Sequence, residues 1–493
     1  MSKLSLLAHA RHKTDLNTTT MAAMNQFRMA ARGCRAATRS RNIRPFSTTS
    51  RRSEILEVST LPDRIIPHYQ QTSTSSLLSL QWPRPPRNIL LMPKLHAPKV
   101  TLSAVEFAKH IHTNYPGLNL VFEAHVAQSI HESLPFPIYA TDPSDCAVQF
   151  AKKIDLVTTM GGDGTILRAA SLFSTHNSVP PILSFSMGTL GFLGEWRFDQ
   201  YKSAWRECYM SGCPVPAEDL AAPHTQMAST AQQSQTSDTD PQLLQWDSVR
   251  GKCMGLNRSS KILLRNRLRV GIYDSQGRNI NEQLTPTSMA EPDLGTPPIA
   301  HAHRSSSSSI PPSIHAINEI AIDRGSHPHL AIIDIYVNNH FLTEAVADGI
   351  LISTPTGSTA YSLSAGGSII HPLVKSLLIT PISPRSLSFR PLVLPLHTKV
   401  TLKLSKRNRG RELPISIDGK RRIGVTIGME VRVEGERLEK TPEGWTGGVP
   451  CVIRASSRGD ADGISEDDDS WVGGLNGLLK FNYPFGAGPS EEH

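Results

Sequence analysis

Six residues, Met160-Gly161-Gly162-Asp163-Gly164-Thr165, constrain what this chain can fold into more than any other stretch. Ile154, Leu156, Val157 and Met160 read as a short buried strand, and Ile166-Leu167-Arg168-Ala169-Ala170 as the start of a helix. Three glycines in the turn between them let the backbone approach a phosphate closely. The helix N-terminus behind the turn adds free N–H groups and positive dipole. A carboxylate is a poor choice for a loop that only binds anions. Asp163 therefore has a task of its own: taking a proton from a hydroxyl, or helping to hold a metal. The plainer reading is a corner that needs only pliable backbone. The turn lacks the lysine of a Walker A loop, and its glycines miss the spacing of a dinucleotide fingerprint.

The flanking pattern extends this corner into a sheet. Strands are expected over 88–92, 118–122, 154–160 and 181–185, with a helix over 103–112 and a loop over 187–193. Alternating strands and helices imply a parallel α/β domain, here over 87–200. Ligands bind such sheets at the carboxyl ends of the strands, where Asp163 falls. Residues 54–86 read as a Ser/Thr/Pro-rich, extended lead-in.

The pattern changes after about residue 245. Apolar and polar residues alternate over 260–273, 330–337, 399–404, 413–417 and 425–433, which predicts a β-rich second domain within 201–459. Two inserts, about 223–244 and 281–313, lack the apolar content to fold and are expected to be disordered surface loops. His301 and His303 lie in the second insert and read as solvated linker histidines. An acidic linker then leads to Trp471, Leu475, Leu478 and Leu479, whose spacing suggests a helix within 460–493 that returns to the first domain.

The net charge of +8 does not describe the folded part. Eleven basic residues and one acid, Asp15, fall within residues 1–52, so that segment carries +10 and the remainder −2. The folded part therefore has no basic excess for nucleic acid. An Arg-rich, Ser/Thr/Ala-rich, acid-poor N-terminus has the composition of a mitochondrial transit peptide over 1–53. Cleavage is expected before Phe46 or near Glu54, and Met21 is an alternative start. No apolar run of about 18 residues occurs, so no membrane helix is expected. The six cysteines show no zinc spacing and read as free thiols in a reducing compartment.

Two further constellations carry chemistry. Asn318-Glu319 places an amide and a carboxylate in an apolar run, where they must be satisfied by partners or ligand. The pair suits a purine edge or ribose hydroxyls, or else makes only local turn bonds. The stretch 347–367 runs from an apolar strand into Ser353, Thr354, Thr356, Ser358 and Thr359, and then into a small-residue helix. Those hydroxyls form a donor array for polyphosphate and ribose, denser than helix capping needs. Tyr361 offers an aromatic face for a base.

GGDGT, the Asn-Glu pair and DG…TPTGSTAYSLSAGG, in this order, resemble the NAD kinase family. Residues 382–391 and the segment Ser416-Ile417-Asp418-Gly419 look like two more of its segments. The resemblance covers roughly 87–200, 250–280 and 314–481. The transit peptide and the C-terminal tail look like the fungal mitochondrial NADH kinase branch. Lipid kinases and phosphofructokinases carry GGDG-type turns too, but TPTGSTAY points away from them. A lipid kinase would need an acyl groove, for which the sequence shows no support; a non-catalytic dinucleotide sensor would more naturally have lost Asp163.

The resemblance implies transfer of the ATP γ-phosphate to the 2′-hydroxyl of the adenosine ribose of NAD or NADH, with Mg²⁺ accompanying ATP, in a homo-oligomer in the mitochondrial matrix. Asp163 would be the proton acceptor. Gly162, Gly164, Thr165 and Arg168 would line the phosphates or ribose. Asn318, Glu319 and Asp348 would bind adenine and ribose groups. Thr356, Ser358, Thr359, Ala360, Tyr361 and Ser364 would complete the pocket, from the same chain or a neighbouring subunit. His329 falls where some members have a binding histidine. No protein metal site, nucleic acid or membrane is implied. Two departures stand out: Val346 replaces an arginine of some bacterial members, and Arg385 replaces a histidine common after the proline.

Overall fold

A computed structural model describes residues 54–71, 76–115, 117–188, 191–194, 196–212, 259–281, 313–441, 444–454, 471 and 475. The expected transit peptide, the insert 223–244, the acidic linker and all of the insert 281–313 but its two end residues lie outside the described residues. The first half of the chain runs β1 (Ile55–Glu57), β2 (His68–Gln71), β3 (Leu78–Gln81), β4 (Asn88–Pro93), α1 (Pro98–Asn114), β5 (Asn119–Val121), α2 (Ala124–Ile130), β6 (Ile138–Ala140), α3 (Cys146–Lys153), β7 (Leu156–Gly161), α4 (Asp163–Ser171), β8 (Ile182–Ser186), β9 (Trp196–Arg197) and α5 (Tyr201–Tyr209). The second half runs β10 (Lys261–Arg265), β11 (Leu268–Tyr273), β12 (Ile314–Ala316), β13 (Glu319–Asp323), β14 (Ala331–Val337), β15 (His340–Ala347), β16 (Gly349–Ser353), α6 (Tyr361–Ser364), β17 (Ser376–Ile382), β18 (Leu392–Pro395), β19 (Val400–Leu404), β20 (Glu412–Ile417), β21 (Lys420–Thr426), β22 (Glu430–Gly435), β23 (Glu439–Thr441), β24 (Gly444–Thr446) and β25 (Val449–Ile453).

Every residue of β4 and β7 is buried, the mark of central strands covered on both faces. They belong to an 11-stranded sheet ordered β1-β6-β5-β4-β7-β8-β25-β10-β3-β2, with β9 on β8. From β1 to β25 neighbours run parallel; β10, β3 and β2 add an antiparallel flank. The chain leaves β4 toward β5 and β6 and returns through β7 on the other side. That reversal opens a crevice at the carboxyl ends of β4 and β7, the place where such sheets bind ligands. Helix α1 begins five residues before its expected start, because Pro98 at its first turn lacks only an N–H that would be unpaired there. Its buried side, Val100, Ala104, Phe107, Ala108 and Ile111, packs on the sheet.

Twelve of the remaining strands form two six-stranded antiparallel sheets, β12-β11-β22-β19-β14-β15 and β18-β17-β16-β13-β20-β21, and β23 and β24 pair as a hairpin of their own. Their inner faces share one core, with Val270, Ile333, Leu402 and Val431 from one and Ile320, Ile350, Ile352 and Ile415 from the other. The α/β-plus-β architecture expected from the sequence is therefore present.

Three particulars differ from what the sequence predicts. The lead-in is not merely extended: it supplies β1, β2 and β3 to the first sheet. The buried Asp155 carboxylate anchors it, accepting the backbone N–H of Ile65 (2.5 Å), Arg87 (2.6 Å) and Asn88 (2.9 Å). The alternating run 260–273 is two strands in two sheets, since the chain turns at Asn266 and Arg267. Helix α5, beyond the expected boundary at 200, buries Tyr201, Trp205 and Tyr209 in the first core. The expected helix within 460–493 lies outside the described residues but for Trp471 and Leu475, both helical in backbone; the Trp471 ring lies 4.6 Å from that of His371, and β25 also returns the chain to the first sheet. Alternation reports a half-buried strand but not which sheet receives it.

Candidate active site

The turn after β7 brings Gly162 into extended backbone and starts α4 at Asp163, three residues before the expected helix start. An acid in the first turn suits the helix dipole. Its carboxylate is held by the loop that follows β8: Phe192 N donates to Oδ2 at 3.0 Å and Leu193 N to Oδ1 at 3.1 Å. The loop comes so close that a Cβ at Gly191 would overlap the carboxylate, so only glycine fits. Each carboxylate oxygen keeps acceptor capacity beyond its one backbone bond. Gly162 and Gly164 face open space, as a phosphate-approaching backbone requires. Thr165 does not: its side chain is buried and its N–H donates to Gly162 O at 2.9 Å, so it builds the turn. Arg168 is also engaged within the fold, 3.1 Å from Glu123 Oε2 and donating to Pro93 O at 2.7 Å. It ties α4 to the ends of β4 and β5.

The second wall comes from the β-rich domain. Asn318 and Glu319 are buried at the start of β13, and Asn318 Oδ1 and Glu319 Oε2 have no hydrogen-bond partner. Buried polar atoms left this way are costly unless a ligand meets them. Burial, and secondarily the charge of Asp418, pushes the Glu319 carboxyl up to about 7. Folded protein therefore keeps this proton through a range in which the unfolded chain, at 4.5, has lost it. The group destabilises the ligand-free fold progressively as pH rises from 4.5 toward 7. Tyr361 is 43% exposed, and its phenol feels the charges of Asp323, Asp348 and Glu319 of its own chain. Asp348 accepts from Arg324 Nε at 2.5 Å. His329 stands exposed on the loop between β13 and β14, and Ser364 is exposed at the end of α6.

The expected array of free hydroxyls is mostly engaged in building the turn. Thr354 Oγ1 donates to Ile317 O at 2.6 Å and accepts from Gly357 N at 3.0 Å. Ser358 Oγ accepts from Ile370 N at 3.0 Å, and Thr359 Oγ1 donates to Thr356 O at 3.2 Å. Thr356 Oγ1 lies 3.5 Å from the buried guanidinium of Arg265. Ser353, Thr354, Thr356 and Ser358 are buried; Thr359 and Ala360 are partly exposed. These hydroxyls brace a short 3₁₀ turn and the one-turn, small-residue helix that follows it. The bracing brings Gly357 against the Asn318 backbone, where a Cβ would overlap the carbonyl.

Two contacts join the walls. Arg265 reaches both Thr356 and Phe192 O (3.4 Å), the residue whose N–H holds Asp163. Lys420 Nζ donates to Ser171 Oγ on α4 at 2.7 Å. Glu123, Arg265, Phe192 and Lys420 escaped the sequence reading, since nothing local marks them. In the sequence Asp418 stands out only as part of the short segment Ser416-Ile417-Asp418-Gly419. Its carboxylate accepts from Ile317 N (2.9 Å), Asn318 N (2.7 Å) and Glu319 N (3.2 Å). The two departures noted in the sequence are neighbours: Arg385 N donates to Val346 O at 2.9 Å.

Comparison with known proteins agrees with this geometry. Residues 102–212 match the ATP-NAD kinase N-terminal domain and residues 317–440 the ATP-NAD kinase C-terminal domain. The chain is 34% identical over 437 residues to the mitochondrial NADH kinase pos5 of Schizosaccharomyces pombe, covering 87% of this chain and 85% of that one. It is 32% identical over 429 residues to the mitochondrial NADH kinase POS5 of Saccharomyces cerevisiae, covering 83% and 84%. The fold is similar to the crystal structure of yeast NADH kinase complexed with NADH, with a TM-score of 0.62, 29% identity, and coverage of 88% of this chain and 98% of that one.

Proposed function

The chain belongs to the NAD kinase family, and on that premise we propose how its own residues divide the reaction. The protein is an NAD(H) kinase: it moves the γ-phosphoryl group of ATP to the 2′-hydroxyl of the adenosine ribose of NAD(H), leaving ADP and NADP(H). One observation carries the assignment of roles. A carboxylate stands at the sheet's switch point, and the joined wall presents the unpartnered Asn318 Oδ1 and Glu319 Oε2.

In the proposed division, Asn318 and Glu319 take adenosine polar groups, and Tyr361 offers its face to a base. The backbone at Gly162 and Gly164, with the N-terminus of α4 behind it, approaches the phosphates. Asp163 receives the proton of the 2′-hydroxyl as its oxygen bonds to the γ-phosphorus and the bond to ADP breaks. The Phe192 and Leu193 N–H groups fix the direction of that carboxylate. Mg²⁺ enters with ATP as part of the substrate. Arg168, Thr165, Thr356 and Ser358 shape the walls. Incubating the purified chain with ATP, Mg²⁺ and either NAD or NADH should yield NADP or NADPH; no product with either dinucleotide would reject the assignment of activity.

The mitochondrion is the expected location, because both fungal relatives are mitochondrial by name and residues 1–53 are rich in arginine and nearly free of acids. The matrix is our refinement. A fluorescent protein carrying residues 1–53 should enter the matrix, with a mature N-terminus near Phe46 or Glu54. Replacing Arg28, Arg32, Arg35 and Arg39 by glutamine should weaken import without changing catalysis by the purified protein. Cytosolic fluorescence from the intact fusion would reject the targeting role.

A further inference from the structure

The β20–β21 hairpin turns at Asp418 (φ +47) and Gly419 (φ +74), the pair of left-handed residues a two-residue hairpin loop prefers. Asparagine or glycine would serve that turn equally well. The turn alone thus does not call for a carboxylate. What the carboxylate does is reach 99 to 101 residues back in the chain and collect three backbone N–H groups in succession, from Ile317, Asn318 and Glu319. Asp418 N completes the contact by donating to Glu319 O at 3.0 Å. Two residues on, Lys420 reaches Ser171 on the helix that starts with Asp163. One hairpin loop therefore grips both the Asn318–Glu319 peptide and the catalytic helix.

We propose that Asp418 is a positioning residue for the dinucleotide: its three hydrogen bonds orient the Asn318–Glu319 pair toward the adenosine. This rests on the reading that Asn318 and Glu319 bind the dinucleotide. Three donors converging on one carboxylate cannot be matched by an amide, which offers a single acceptor oxygen and would turn an NH₂ toward an N–H. Asp418 also faces Glu319 electrostatically and is the charge that helps raise the Glu319 carboxyl to about 7. The other charged or titratable groups in this neighbourhood are Tyr361 opposite Glu319, and Lys420 and Arg422 near Asp418; Arg168 and Glu123 lie near Lys420.

The test compares Asp418→Asn, Asp418→Gly, Glu319→Gln and the double variant Asp418→Asn/Glu319→Gln. Both Asp418 variants keep residues the turn accepts, so the fold should survive, as checked by thermal melting. KM for the dinucleotide should rise by roughly tenfold or more in Asp418→Asn, while KM for ATP stays within about twofold. Asp418→Gly should be at least as impaired. In the parent, kcat/KM for the dinucleotide should fall as pH drops through about 7, where Glu319 takes up its proton. In Asp418→Asn that limb should move to lower pH, because a negative neighbour is gone. In Glu319→Gln it should vanish, and adding Asp418→Asn to Glu319→Gln should cost less than about twofold more. If Glu319→Gln leaves KM and the pH profile as in the parent, the binding role of the pair is wrong and the proposal falls with it. If Glu319→Gln weakens dinucleotide binding but Asp418→Asn behaves like the parent, only the positioning role is overturned. An equal rise of KM for ATP and for dinucleotide would also overturn it, since that marks general loosening.

Discussion

Replacing Asp163 by asparagine should lower turnover by roughly 10²-fold or more while leaving a folded protein. The variant keeps the shape of the side chain and removes the group proposed to take the hydroxyl proton. The structure adds a small structural cost. Two backbone N–H groups, of Phe192 and Leu193, end on the two carboxylate oxygens, and asparagine offers only one acceptor. About 1 kcal/mol of stability should be lost with that bond. Such a loss shifts the melting point by a few degrees at most and does not reach a hundredfold in rate at assay temperature. Steady-state kinetics and melting curves on the same preparation separate the two effects. Turnover close to that of the parent would remove Asp163 from the chemistry.

Glu436→Ala should do the reverse, destabilising the protein by about 3–5 kcal/mol while the chemistry of the folded fraction survives. Glu436 pairs with Arg267 through two hydrogen bonds, at 2.7 Å from Nε and 2.5 Å from Nη2, and both side chains are almost completely buried. Arg267 also donates to Phe173 O (3.1 Å) and His176 O (2.9 Å), just beyond α4. Glu436 Oε2 accepts from Gly448 N at 2.8 Å, next to β25. His315 lies alongside, 3.5 Å from Glu436; burial and then the charge of Arg267 lower it to about 4, so it is neutral at pH 7 and adds no second cation. The cluster fastens the β-rich sheets to the segment just beyond α4. Removing Glu436 leaves a buried guanidinium without its counter-charge, which costs more than the pair itself contributes. Denaturant melting of parent and variant measures the loss. A change below about 1 kcal/mol would show that water or a rearranged carbonyl replaces the carboxylate.

The two variants bracket how the site is built. Asp163 is placed by a local device, a strand, a glycine turn and a helix start adjacent in sequence, and its carboxylate is then fixed by Phe192 and Leu193, 29 and 30 residues on. Arg267 and Glu436 are 169 residues apart and are brought together by the pairing of β11 with β22, whose end they flank. The walls of the cleft depend on such distant pairs. Arg265 reaches Thr356 across 91 residues, and Lys420 reaches Ser171 across 249.

The chain's own order of residues determined the GGDGT corner, the parallel strands around it, the β-rich second half and the two short segments, Asn318-Glu319 and 347–367, proposed to bind the dinucleotide. These are properties of neighbours: apolar period, glycine freedom and capping act over a few residues and leave a visible pattern. Tertiary structure alone decided that β10 and β11 part into different sheets and that the lead-in becomes three strands. It also decided that Thr354 and Ser358 brace a turn whereas Asn318 Oδ1 and Glu319 Oε2 are left open. Whether a hydroxyl is a free donor or an internal brace depends on which backbone group lies within about 3 Å. For Thr354 that group is the Ile317 carbonyl, 37 residues away, brought there by strand pairing. For Asp418 it is three N–H groups about a hundred residues upstream. Local sequence can name a residue type suited to binding. Only the folded chain determines which of its polar atoms are already satisfied, because a hydrogen bond is a relation between positions in space.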